Sequence, residues 1–182
     1  TNLETTITEG ECYANAYYPD ASLTAAPEVL DTVKRLGIQA CGVANNHTMD
    51  YAIDGVLATM KHLDAAGIKR AGIGRDLHEA SKAATIHTDN GTVAYIAQVC
   101  LNRKNESGRA GYAHDGIPAR PGVNGLRRID ESLVTAEQMA YIKNLAKQTM
   151  VNAQEDLEKA YGYGDLDDGT FSYGVMKFRI AE

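Results

Sequence analysis

The stretch Ile38-Gln39-Ala40-Cys41-Gly42-Val43-Ala44-Asn45-Asn46-His47-Thr48 decides how this chain folds. Its first seven residues are largely apolar and give way abruptly to four polar ones, the pattern of a buried strand emptying into a loop. Upstream, residues 26–36 place Val29, Leu30, Val33 and Leu36 on one helical face and stop at Gly37, a residue suited to the left-handed turn that closes a helix. Downstream, residues 52–66 keep Ile53, Val56, Leu57, Met60 and Leu63 at helical spacing until Gly67. Helix, strand, loop and helix in that order predict an α/β protein. The polar loop then lies at a strand's carboxyl end, where open α/β sheets assemble their sites.

Outward from this unit, residues 70–73 read as a short strand, and Asp76 as the N-cap of a small helix over 77–82. Residues 84–88 and 92–100 are β-rich and flank Asp89-Asn90-Gly91, a hairpin signal. Residues 102–128 are rich in Gly, Pro, Asn and Arg and fit neither period, which predicts an irregular loop excursion of the kind that often carries function. Residues 135–161, opened by Thr135 as a cap, give the longest helical reading, as one helix or two, and 171–180 alternates partly as a strand. A length of 182 residues fits one α/β domain over 1–182. The ordered look of its first residues makes a fragment of a longer domain the working expectation.

With 44% hydrophobic and 23% charged residues the chain is globular rather than disordered or fibrous. A net charge of -6 argues against nucleic acid, whose phosphates need a basic face. No run approaches the roughly 20 apolar residues of a membrane span. Three widely spaced cysteines, Cys12, Cys41 and Cys100, form no CxxC pair. Cys41 and Cys100 sit in apolar runs and read as small buried hydrophobes.

Asn46 and His47 at the strand end pair an amide oxygen with an imidazole, groups able to ligate a divalent cation and to protonate a leaving group. Asp50 supplies a carboxylate positioned to orient that imidazole. The competing reading is structural, because Asn and Asp also stabilise turns and cap helices. His62, His78 and His87 read as structural or surface residues. His114, beside Asp115 in the glycine-rich loop, is either a ligand contact or an exposed loop residue. Arg120, Arg127 and Arg128 bracket the Pro121-Gly122 turn, where guanidinium forks suit carboxylate or phosphate; a solvated loop explains them equally well. The acidic residues 165–168 lack EF-hand spacing and read as a solvated turn. No P-loop or Gly-x-Ser-x-Gly pattern occurs.

Asn2-Leu3-Glu4, Ala44-Asn45-Asn46-His47-Thr48-Met49-Asp50-Tyr51, Ala65-Ala66-Gly67-Ile68 and Gly72-Ile73-Gly74 resemble, in order and spacing, the CapA capsule-synthesis family. Arg120-Pro121-Gly122-Val123-Asn124-Gly125-Leu126-Arg127 is similar to that family's loop, with Gly125 where a Pro is expected. The family resembles the calcineurin-like metallophosphoesterases. The resemblance implies a metallophosphatase-like sandwich of mixed sheets flanked by helices, incomplete in this chain, and a two-metal site holding Mn, Fe or Zn. It makes Glu4 the bridging carboxylate, Asn46 the amide ligand and His47 the general acid, with Asp50 beside it. Asn45, His114, Arg120 and Arg127 become the expected substrate contacts.

No earlier Gly-Asp element is read, nor later strand ends of the His-x-Gly type that would complete a second metal's ligands, so further ligands would come from flanking sequence or a partner chain, or have been lost. The expected function is a metal-dependent hydrolase or processing enzyme of poly-γ-glutamate capsule metabolism, acting on an anionic polymer or phosphoester-like substrate. The alternative is a non-catalytic surface component that binds or exports such a polymer. By the same resemblance the protein lies outside the bacterial membrane, held by an anchor not present in this chain.

Overall fold

The computed structural model describes residues 1–16, 22–100, 108–126, 131–148, 164–165, 169–173 and 176–181. The chain gathers into two compact units, Thr1–Arg128 and Ile129–Glu182. Each is mixed α/β, and four helices occur among the described residues.

In the first unit, the quoted stretch forms β3 (Ala40–Gly42), all three residues of which are buried. The unit opens with β1 (Thr6–Ile7) and β2 (Thr24–Ala25), paired in parallel, and α1 (Val29–Arg35) precedes β3. After β3 come the polar loop and α2 (Ala52–Ala65), then β4 (Lys69–Ala71), parallel to β3 from Ala40↔Lys69 to Gly42↔Ala71. Asn2 bridges Gly42 in parallel, with Leu3 N–H donating to the Gly42 carbonyl at 2.9 Å. The Asn2-Leu3-Glu4 segment therefore runs beside β3, and both lead to the same loop.

The core explains the helical spacing. Val56, Met60 and Leu63 of α2 are almost wholly buried and cluster with Leu3, Ile7, Leu30, Cys41, Val43, Ile68 and Ile73. Full burial of one such side chain is worth about 1.5–3 kcal/mol. A Cβ at Gly55 would collide with Tyr51 and sit tightly, at 3.2 Å, against Thr6 Cγ2 of β1; Ile7 N–H donates to Thr59 Oγ1 at 3.0 Å across the same α2–β1 contact. The predicted faces are narrower than their periodicity implied. Leu30 is buried and Val33 packs on the core, while Val29 and Leu36 face solvent, because α1 has only seven residues.

The rest of the unit is a series of small pairings. β5 (Ile73–Gly74) lies antiparallel to β9 (Gly122–Val123), and α3 (Leu77–Ser81) follows β5. Asp76 caps α3 as predicted, accepting from Glu79 N–H at 2.7 Å. β6 (Ala84–Thr88) and β7 (Gly91–Tyr95) form the expected hairpin. Among the described residues β8 (Val99–Cys100) pairs with β10 (Gly125–Leu126) alone, and Cys100 is exposed, contrary to the buried role read from its apolar neighbours.

In the second unit, β11 (Glu131–Val134), α4 (Ala136–Gln148), β12 (Gly164–Asp165), β13 (Phe171–Tyr173) and β14 (Met176–Ile180) build a four-stranded sheet ordered β11-β14-β13-β12. Thr135 caps α4 reciprocally with Gln138: Gln138 N–H donates to Thr135 Oγ1 at 3.2 Å, and Thr135 N–H to Gln138 Oε1 at 2.8 Å. Residues 149–161 of the predicted long helix lie outside the described residues. The tail read as one strand is two, β13 and β14, paired antiparallel.

Candidate active site in the loop after β3

The loop is built by its own polar residues. Thr48 Oγ1 donates toward the Val43 and Asn45 carbonyls (2.5 and 2.8 Å) and accepts from Asn45 N–H at 2.9 Å. Asn45 Oδ1 accepts from His47 N–H at 3.0 Å, an Asx turn. Its Nδ2 donates to the Leu3 carbonyl at 2.9 Å and to Asn2 Oδ1 at 3.2 Å. Asn45 thus braces the loop against the neighbouring segment.

Asp50 does not cap α2. The N-cap is Tyr51, with no side-chain cap bond, and Ala52 enters the helix at φ +52°. The Asp50 side chain, only 6% exposed, instead meets His47 Nδ1 at 2.8 Å and accepts from Leu23 N–H at 2.7 Å. An ionised carboxylate only accepts, so Nδ1 carries the proton of that bond and Nε2 is left facing away. Nε2 lies 4.0 Å from Glu4 Oε1. Glu4 is half exposed, and Asn2 Nδ2 donates to its Oε2 at 3.0 Å. Asn46 is exposed in the same loop.

Glu4, His47 and Asp50 are therefore brought together, as the sequence expects. Asn2 is a member that residue-type reasoning missed. Its signal was the alternation around buried Leu3, which sets Asn2 and Glu4 on one face.

The bonds of His114 and Arg120 run within their own segment. His114 N–H and Ile117 N–H donate to each other's carbonyls, and the His114 side chain is 64% exposed. Arg120 Nε donates to the Arg109 carbonyl at 2.8 Å. Arg127 and Arg128 lie outside the described residues.

For a divalent cation, Glu4 and Asn46 supply oxygen donors of the right kind, but two such groups fall short of the four to six ligands usual for these ions. Among the described residues, Glu4, His47 and Asp50 do not converge as three ligand atoms, whereas Glu9, Glu11 and His62 do. An open cleft of about 880 Å³ lies elsewhere, lined by Gln39, Arg70, Glu79, Lys82 and His87 among others. It contains none of the loop's residues and presents chiefly the Arg70 ion pairs, so the loop remains the better candidate for chemistry.

These features define a mixed α/β protein whose polar loop holds a carboxylate-oriented imidazole beside a second carboxylate. The profile of the bacterial capsule synthesis protein PGA_cap family matches residues 1–161, and the chain belongs to that family. The resemblance to CapA-type proteins read from the Asn-Leu-Glu and Ala-Asn-Asn-His blocks is borne out.

The chain is 34% identical over 141 residues to an uncharacterized protein, y4sH, of Sinorhizobium fredii, covering 76% of this chain and 30% of that protein. A second Sinorhizobium fredii protein, y4uA, matches to the same extent. A probable polyglutamine synthesis accessory protein of Mycobacterium tuberculosis is 33% identical over 85 residues, 47% of this chain and 22% of that protein. The matched region spans less than a third of these relatives. No helix among the described residues is long and apolar enough to cross a membrane.

Proposed function

We propose that the loop after β3 is the proton-handling arm of a metal-dependent hydrolase or processing enzyme acting on an anionic capsular polymer of the poly-γ-glutamate type. The observation that carries this reading is the buried Asp50 carboxylate at 2.8 Å from His47 Nδ1. That contact fixes the tautomer and turns Nε2 toward Glu4. A surface imidazole with only a turn to stabilise has no need of a buried carboxylate behind it.

In the protonated state His47 would donate from Nε2 to a departing group, with Asp50 stabilising the imidazolium. Glu4, steered by Asn2, and Asn46 would hold a divalent cation, with further ligands from parts of the protein beyond the matched region. When bound, that cation supplies Lewis-acid polarisation and an activated water. The metallophosphatase-like sandwich belongs to this same proposal, as does a location outside the membrane with an anchor elsewhere in the protein.

A second reading is favoured by the short donor set: a surface component that binds or exports the polymer without cleaving it. Elemental analysis after dialysis against Mn²⁺ separates the two. Manganese retained by the wild-type protein and lost in Glu4→Gln and Asn46→Ala supports the hydrolase. Equal retention in all three removes the loop as a metal site and leaves polymer binding.

A further inference from the structure

Away from that loop, where the turn after β1 meets α2, Glu9, Glu11 and His62 bring three potential ligand atoms within 4.8 Å of one another. The three residues are not an ordinary acidic surface patch. His62 is only 7% exposed, so its imidazole is built into the molecule, and it presents Nε2 to Glu11 Oε1 at 3.3 Å. Glu11 is held independently: Thr8 Oγ1 and Glu9 N–H donate to its other oxygen, Oε2, at 2.5 and 2.6 Å. Oε1 is thereby directed at the imidazole. Glu9 completes the group from the same turn, and its only competing ion pair among the described residues is a 3.9 Å contact with the exposed Lys61.

We propose that Glu9, Glu11 and His62 bind a divalent cation of the zinc class, distinct from any ion at Glu4. One imidazole nitrogen and two carboxylate oxygens, with a coordination position left to water, are the donor set that Zn²⁺ accepts. The site would be structural. It would pin the segment after β1 to α2, and that segment reaches the candidate active site where Asn15 N–H donates to the Asp50 carbonyl at 2.7 Å. A bound ion would thus hold the backbone behind Asp50 without touching substrate.

The test is equilibrium dialysis of the purified protein against micromolar ZnCl₂, with zinc per chain and the thermal melting midpoint read together. The variants are Glu9→Gln/Glu11→Gln, at exposed positions that leave the core intact, and Glu4→Gln/Asn46→Ala. Circular dichroism checks the fold of each. The expected result is zinc uptake and a raised midpoint in the wild type and in Glu4→Gln/Asn46→Ala, with affinity lower by roughly tenfold or more in Glu9→Gln/Glu11→Gln. Equal zinc uptake and equal midpoint shifts in the wild type and Glu9→Gln/Glu11→Gln would overturn the proposal. So would a wild type that takes up no zinc. Neither outcome bears on the hydrolase reading, which rests on the Glu4 loop.

Discussion

His47 Nδ1 and Asp50 Oδ2 lie 2.8 Å apart across a single turn, with the carboxylate buried and also bonded to Leu23 N–H at 2.7 Å. Asp50→Asn keeps the shape of this contact but removes the charge that fixes the tautomer. Turnover is expected to fall by roughly 10² to 10⁴, the range for a disabled acid-base pair. Steady-state kinetics checks this, with near-unchanged circular dichroism showing that the fold survives.

Asp50→Ala should also cost stability. It leaves Leu23 N–H without its acceptor and strips the imidazole of its partner, a loss of about 1–3 kcal/mol. Denaturant unfolding of Asp50→Ala beside Asp50→Asn separates this structural part from the catalytic one.

Leu63 is fully buried among Met60, Ile68 and the other core residues. Leu63→Ala removes that packing and leaves a cavity, which should destabilise by about 2–5 kcal/mol. Thermal melting of the variant reads the loss directly.

Acid should loosen the turn after β1. The Thr8 hydroxyl and backbone amides hold the Glu11 carboxyl down at about 2, against an ordinary value of 4.5. A carboxyl lowered in the folded state contributes stability that is present above its unfolded pKa and is lost as pH falls through the folded one. The contribution of Glu11 should therefore decline between about pH 4.5 and 2, and a Glu11→Gln variant should show a flatter stability profile across that window.

The thiols should divide by burial. Cys41 is wholly buried and burial pushes its thiol up, whereas Cys100 is exposed on β8. Iodoacetamide should label Cys100 in the native protein and reach Cys41 only after unfolding, a contrast that peptide mass mapping reads.

The sequence made the α2 face and the strand-to-loop transition legible because both rest on periodicity, and Met60, Leu63 and Cys41 are buried where that periodicity puts them. It also exposed the pairing of His47 with Asp50, since three residues within one loop is a local relationship. What it hid was non-local. Leu23 N–H as a partner of Asp50, and Glu11 as the partner of His62 from 51 residues away, depend on how the segment after β1 lies against α2. Neither leaves a signal in spacing. Cys100 misled because an apolar run in a two-residue strand, with one neighbour among the described residues, has an open face.

The most direct test is the rate of poly-γ-glutamate cleavage by the full natural protein in Mn²⁺, comparing wild type with His47→Ala. A fall in kcat of roughly 10² to 10⁴ with manganese content unchanged is the predicted result. Equal rates in the two proteins would contradict a proton-donating His47 and, with it, the hydrolase reading.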